Sequence, residues 1–180
     1  MPETRPGGRH RVVLVGFMGA GKTTVGRQVA TLLGWEFVDL DTLVSERAGK
    51  PVAAIFRDEG EEAFRAAELD AAVEATRRRS VVIAAGGGAF VFPRTRAVLS
   101  ADAVTVWLRC ALPALLARIG DAGDRPLASS RATIHALLTQ REPIYRLADV
   151  VVETTNAAPT DAAREVVFAV TRAGLERTGE

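Results

Sequence analysis

Short β-branched runs and helix-period stretches alternate from one end of the chain to the other. The runs fall at Val12–Val15, Glu36–Asp39, Val81–Ala85, Val104–Leu108 and Val150–Glu153. They lack the in–out alternation of a half-exposed sheet, and unbroken apolar runs of this length suit strands covered on both faces. Between them, apolar residues recur at helical spacing over Lys22–Leu33, Thr42–Ala48, Gly60–Arg77, Leu112–Ile119, Ala132–Leu147 and Thr160–Arg172. This alternation predicts a parallel sheet inside helices, a single α/β domain with no internal repeat and no linker. Two segments break the rhythm. Gly120 to Ser130 holds glycine, aspartate and Arg125-Pro126 with little to bury. A loop of that length inside a compact domain is usually functional, so a lid is expected at about residues 120–131. Pro143 interrupts a helical stretch and predicts a kink just after Arg141.

Composition changes the picture mainly by exclusion. A chain of 180 residues, 48% hydrophobic and 25% charged, fits one globular domain with a sizeable core. A net charge of +1 provides no global field for nucleic acid or an acidic membrane. Arg77-Arg78-Arg79 ends a predicted helix, where cations complement the dipole, so it is read as a helix terminus. Residues 1–10 are polar and lack the apolar stretch of a signal peptide, which makes them a flexible arm before a domain at 11–180. The longest uncharged apolar run, Val81 to Phe92, is far short of the ~20 residues a membrane span needs. One cysteine, Cys110, rules out an internal disulfide and fits a reducing cytoplasm.

Chemistry enters with Gly16-Phe17-Met18-Gly19-Ala20-Gly21-Lys22-Thr23, which matches G-x-x-x-x-G-K-[ST]. The pattern requires a strand before it and a helix after it, and both are predicted here. Its glycines let backbone amides wrap phosphates at the positive end of the following helix. Lys22 reaches the β- and γ-phosphates and the Thr23 hydroxyl binds Mg²⁺. Gly19, Ala20, Gly21, Lys22, Thr23 and Thr24 are therefore the candidate nucleotide contacts. Lys22 is one of only two lysines among 23 lysines and arginines. The other, in Gly49-Lys50-Pro51-Val52, does not fit a guanine-reading N/T-K-x-D loop, which leaves ATP as the donor.

The loop is the first of several marks that follow in order along the chain: Gly16 to Arg27, Asp39-Leu40-Asp41, Ile55-Phe56, Gly60-Glu61, Phe64-Arg65 with Glu68, Gly86-Gly87-Gly88, Arg125-Pro126-Leu127 and Arg141-Glu-Pro-Ile-Tyr-Arg146. Together they carry a resemblance, covering Arg11 to Arg172, to the shikimate kinase family. It implies a P-loop kinase fold: a five-stranded parallel sheet in the order 2-3-1-4-5, helices on both faces and a monomer. It also implies phosphorylation of the 3-hydroxyl of shikimate by ATP in aromatic amino acid (chorismate) biosynthesis. On that resemblance Asp41 faces the acceptor hydroxyl and Asp39 holds the metal, through water. Glu68 orients Arg65, whose fork binds the acceptor carboxylate with Arg141 as second ligand. Gly86, Gly87 and Gly88 leave a bare backbone for the acceptor ring, with the Gly87 amide as donor. P-loop proteins often place a magnesium-binding aspartate where these glycines stand, so Asp39 must serve instead. Arg125 swings in to meet the transferring phosphoryl group. Arg118 stacks on adenine, and Thr155 to Pro159 lines the other adenine face. Ser45, Ala128 and Ala157-Ala158 depart from the family pattern and bear on ATP affinity.

Taken singly, each feature has a plainer reading. Asp39 and Asp41 could be loop carboxylates, with Asp41 capping the helix Thr42–Ala48. Arg65 and Glu68 could form a surface ion pair, the glycines a tight turn, and Arg125 a solvated charge. The fold also serves gluconate and nucleoside monophosphate kinases, and a non-catalytic relative could retain it as a binding module. The acceptor set argues against the other kinases, and the presence of Lys22, Asp41 and Arg125 argues against a silent relative. Because the Lys22 charge is directed at phosphate and not at packing, Lys22→Ala is expected to lower turnover by ~10²-fold or more with the melting temperature retained. Steady-state kinetics and a thermal melt check this, and a rate above about a tenth of wild type contradicts it.

Overall fold

A computed structural model describes residues 9–120 and 131–175. Its strands are β1 (Arg11–Val15), β2 (Glu36–Asp39), β3 (Val81–Ala84), β4 (Ala103–Arg109) and β5 (Val150–Glu153). All pair in parallel, in the order β2-β3-β1-β4-β5. The central position of β1 explains its sequence: Val12, Val13, Leu14 and Val15 are wholly buried, as are Val81, Val82 and Ile83 of β3. Only β5, at an edge, leaves a large apolar residue, Val151, exposed.

The helices are α1 (Lys22–Leu33), α2 (Leu40–Ala48), α3 (Val52–Ala75), α4 (Pro93–Ser100), α5 (Leu112–Gly120), α6 (Arg131–Tyr145) and α7 (Pro159–Arg172), with a 3₁₀ turn at Ala89–Val91. Parallel crossovers are right-handed. The step from β1 out to β2 therefore places α1 on one face, where it packs with α7. The return steps place α2–α3, α4 and α5–α6 on the other. The same strand order brings the carboxyl ends of β1, β2 and β3 side by side, and open α/β sheets hold ligands at such ends. Close packing of α1 depends on Gly26, where a Cβ would lie 2.5 Å from the Phe37 ring and 3.2 Å from Leu14.

The structure departs from the periodicity reading in four places. Helix α2 starts at Leu40 because the Asp39 carboxylate caps it, accepting from the amides of Asp41 at 3.0 Å and Thr42 at 3.3 Å. The plainer reading of Asp41 as the cap is thus corrected. Helix α3 starts at Val52, after Pro51, and bends at Gly60, whose φ of 86° places it outside helical geometry. Helix α4 escaped the pattern because it is short and mostly polar; it starts with Pro93 at its first turn. Helix α6 runs through Pro143, as the predicted helical stretch does, and ends at Tyr145, two residues before the expected Leu147. Proline near the end of a helix removes one hydrogen bond, not the remainder of the helix. Of the expected arm, Arg9 and His10 are described: Arg9 bridges to Leu175 and pairs with Asp149 at 3.1 Å. The arginine triplet follows α3, with Arg78 paired to Glu36 and Glu74. Among the described residues no helix is long and apolar enough to cross a membrane.

The edge strand is pinned by a reciprocal pair. The Asp149 carboxylate accepts from the buried Thr105 amide and hydroxyl, each at 2.8 Å, and the Asp149 amide donates back to the Thr105 hydroxyl at 2.9 Å. Asp149→Ala would leave a buried amide and hydroxyl without their acceptor. Urea unfolding should register a loss of about 2–3 kcal/mol, and a loss below about 0.5 kcal/mol would show that β5 holds its place by other contacts.

Candidate active site

Three loops meet at the carboxyl ends of β1, β2 and β3: the phosphate loop, Asp39–Asp41 and the triple glycine. The first begins at Gly16, with φ 142° and its Cα pressed so close to β4 that a Cβ would lie 2.7 Å from the Leu108 carbonyl. No other residue fits there. The loop's carbonyls are tied to the protein. Lys22 Nζ donates to Gly16 and Phe17, both at 2.9 Å, so its charge also holds the loop, which corrects the expectation that it takes no part in packing. Arg118 donates to Gly19 at 3.2 Å. The Thr154 hydroxyl donates to Ala20 at 3.2 Å, and the Val25 amide to Gly21 at 2.8 Å. Helix α1 starts at Gly21, which has no side chain to cap it. Its first-turn amides therefore remain as donors for an anion, strengthened by the helix dipole.

A cavity of about 300 Å³ opens over this loop, lined by Gly19, Gly21, Lys22, Thr23, Thr24, Asp39, Asp41, Gly87 and Arg118 among others. Within it the Thr23 hydroxyl donates to Asp39 Oδ2 at 2.6 Å, while Asp39 Oδ1 is occupied by the α2 cap. Two hard oxygens, one charged, fit Mg²⁺, which keeps several waters and takes its other ligands from phosphate. No group of three or more His, Cys, Asp or Glu side chains able to hold a metal stands among the described residues.

The acceptor candidates gather on the three glycines after β3. A Cβ on Gly86 would lie 2.8 Å from Asp41 Oδ1 and 2.9 Å from Glu68 Oε1. The Gly87 carbonyl accepts from Arg141 Nη1 at 3.2 Å. A Cβ on Gly88 would lie 2.7 Å from Arg65 Nη2. Gly86 thus makes room for Asp41 and Glu68 and Gly88 for Arg65, while Gly87 contributes its carbonyl, and none of the three has the positive φ that would explain it by turn geometry. Arg65 pairs with Glu68 at 2.8 Å and with Glu61 at 3.3 Å, so the ion pair between Arg65 and Glu68 is formed but is largely buried and not at the surface. Glu68 is 1% exposed, and its Oε1 finds no hydrogen-bond donor among the described residues. Burial raises its pKa, against the opposing pull of Arg65. Arg141 is buried as well, with its guanidinium 5.8 Å from the Phe17 ring.

Arg118 lies at the rim, where it donates to Gly19, to Thr154 at 2.9 Å, to Thr155 at 3.4 Å and to Cys110 Sγ at 3.4 Å. It therefore joins the phosphate loop to the segment after β5. Pro159 begins α7 and does not line the cavity. Arg125 and the rest of the expected lid lie outside the described residues. Sequence reading missed Phe92, whose ring stacks 4.5 Å from the Arg65 guanidinium, and the buried Thr154. An aromatic shortly after the glycine run is a weak signal, and a threonine after an edge strand is none.

A family model described as shikimate kinase matches residues 18–171. A shikimate kinase from Moorella thermoacetica is 44% identical over 167 residues, spanning 92% of this chain and 96% of that protein. Another, from Halorhodospira halophila, is 45% identical over 164 residues, 89% of this chain and 93% of its own. Among solved structures, a shikimate kinase from Acinetobacter baumannii in complex with shikimate has a TM-score of 0.87 at 36% identity, covering 92% of this chain and 95% of that one. A gluconokinase from Sinorhizobium meliloti, at 20% identity and a TM-score of 0.68 with 92% and 94% coverage, shares the fold alone. Matched along nearly its whole length in sequence and in fold, the chain belongs to the shikimate kinase family.

Proposed function

We propose that the protein transfers the γ-phosphoryl group of ATP to the 3-hydroxyl of shikimate, giving ADP and shikimate 3-phosphate. One observation carries this reading: Asp41 shares a cavity with Lys22 and also abuts the glycine turn on which Arg65 and Arg141 converge. A carboxylate-bearing alcohol held by the two arginines would present a hydroxyl to Asp41 and, beyond it, to the phosphate loop. Phosphoryl transfer has little covalent chemistry for the protein to do, so its work is placement and charge.

Each residue then has a task. The Lys22 ammonium, held on the carbonyls of Gly16 and Phe17, lies at the loop and meets the β- and γ-phosphates. Gly19 to Thr24 supply amides and hydroxyls around them. Thr23 and Asp39 would hold Mg²⁺, which would neutralise charge on the phosphates. Arg118, bonded through its edges, offers a guanidinium plane for adenine, with Pro159 on the far side of that subsite. Glu68 fixes the Arg65 fork against Gly88, and Arg141 is fixed on Gly87. As the acceptor oxygen bonds to the γ-phosphorus, the bond to the bridging oxygen of ADP breaks. Asp41 takes the hydroxyl proton. Arg125 meets the charge in transit. A monomer acting in the cytoplasm belongs to the same reading.

The test of the reading is ADP release in the presence of Mg²⁺ with shikimate, gluconate and nucleoside monophosphates as acceptors. Turnover with shikimate alone is expected, and turnover with another acceptor but not shikimate would overturn it. Asp41→Asn retains the shape but cannot hold the proton, so kcat should fall by ~10²-fold or more with ATP affinity kept. A near-normal rate across pH would reduce Asp41 to a holding group. Truncating one side of a buried charge pair costs about 2–5 kcal/mol. Arg65→Ala and Arg141→Ala should therefore each weaken shikimate binding by ~30-fold or more in calorimetry while leaving ATP binding nearly unchanged. Lost ATP affinity with normal shikimate affinity would refute their assignment.

A further inference from the structure

Tyr145 carries a hydroxyl to which the phosphoryl-transfer reading gives no task. The side chain is fully buried at the end of α6, its ring 6.1 Å from that of Trp107. Burial pushes the phenol up to about 12, so it is a neutral donor at any working pH. Its hydroxyl donates to the Gly87 carbonyl, the same oxygen that accepts from Arg141 Nη1. A carbonyl oxygen has two lone pairs, and both are engaged here. Arg141 and Tyr145 are four residues apart and share a face of α6, so one helix turn delivers both donors.

The peptide that follows this carbonyl is planar, so fixing the oxygen fixes the Gly87–Gly88 plane. That matters because three glycines in a row have no side chains to hold them and are conformationally permissive. Gly88 abuts Arg65 so closely that rotation of this plane would move it into the guanidinium or away from it. The glycine turn therefore spaces Arg65 on α3 from Arg141 on α6, and α6 reaches it through two bonds to one atom.

We propose that Tyr145 is a positioning residue for the acceptor: its hydroxyl, bonded to the Gly87 carbonyl beside Arg141, sets the glycine turn and with it the spacing of the two arginines. This rests on the acceptor reading above. A tyrosine that merely filled the core would affect stability and leave substrate recognition alone.

The experiment compares wild type, Tyr145→Phe, Arg141→Lys and the double variant by two-substrate kinetics and thermal melts. Loss of one net hydrogen bond corresponds to about a five-fold effect. Tyr145→Phe should raise the KM for shikimate about five-fold or more, with the KM for ATP within about two-fold. Because both side chains donate to one oxygen, the double variant should be non-additive. Tyr145 is the only tyrosine in the chain, so protein labelled with 3-fluorotyrosine yields a single fluorine resonance, and shikimate should shift it. That measurement stands even where Tyr145→Phe fails to fold. An unchanged shikimate KM in a folded Tyr145→Phe, or a resonance unmoved by saturating shikimate, overturns the inference alone. Wild type inactive on shikimate overturns the functional reading and the inference with it.

Discussion

Three consecutive residues without side chains at the end of β3 are the constraint around which the acceptor side is built. A Cβ on Gly86 would occupy space now held by two carboxylate oxygens, and a Cβ on Gly88 would occupy that of a guanidinium. The turn is thus a small bare surface on which Asp41 of α2, Arg65 and Glu68 of α3 and Arg141 of α6 come together from three different segments of the chain. Bare backbone is permissive, so its neighbours must hold it: the two donors from α6 on the Gly87 oxygen and the packed Arg65 on Gly88. Side chains and turn therefore define one another's positions.

The two halves of the cavity balance charge in opposite ways. On the donor side the phosphate loop directs five of its carbonyls to the protein's own donors and leaves the α1 terminus without a side-chain cap, so its amides and the helix dipole are directed at an anion. On the acceptor side Glu68 is buried with one oxygen paired and the other unpaired, and burial penalises its charge. A buried carboxylate so placed is costly unless paired. It is tolerable here because Arg65, itself flanked by the rings of Phe92 and Phe64, supplies the opposite charge. Asp39 joins the halves, with one oxygen capping α2 and the other on Thr23.

Much of this was legible in order along the chain. The β-branched runs gave all five strands to within a residue or two. The inner strands β1, β3 and β4 are apolar nearly throughout because both of their faces are covered, while the edge strands β2 and β5 carry exposed residues as well. The phosphate loop was legible because its glycines, lysine and threonine act within eight consecutive residues, so local sequence contains the whole device. Helix α4 and the first part of α3 were not legible. The former is short and polar, and the latter's start and bend depend on Pro51 and Gly60, which read equally well as loop. The plainer alternative placed the capping carboxylate two residues late, at Asp41 and not Asp39, since the two are chemically alike and only backbone geometry distinguishes them.

By itself, then, the sequence determined the strands, the nucleotide loop and the inventory of charged groups, because these depend on neighbours close in the chain. The tertiary structure alone decided which groups meet. Arg65 and Arg141 lie 76 residues apart and reach adjacent glycines only because right-handed crossovers put α3 and α6 on the same face of the sheet. Arg118, read as an adenine contact, also proved to bind the phosphate loop to the segment after β5. Phe92, Thr154 and the hydroxyl of Tyr145 acquired their places the same way. A side chain's type fixes what it can bond, but its partner is fixed by the path of the backbone, and that path is a property of the whole sheet.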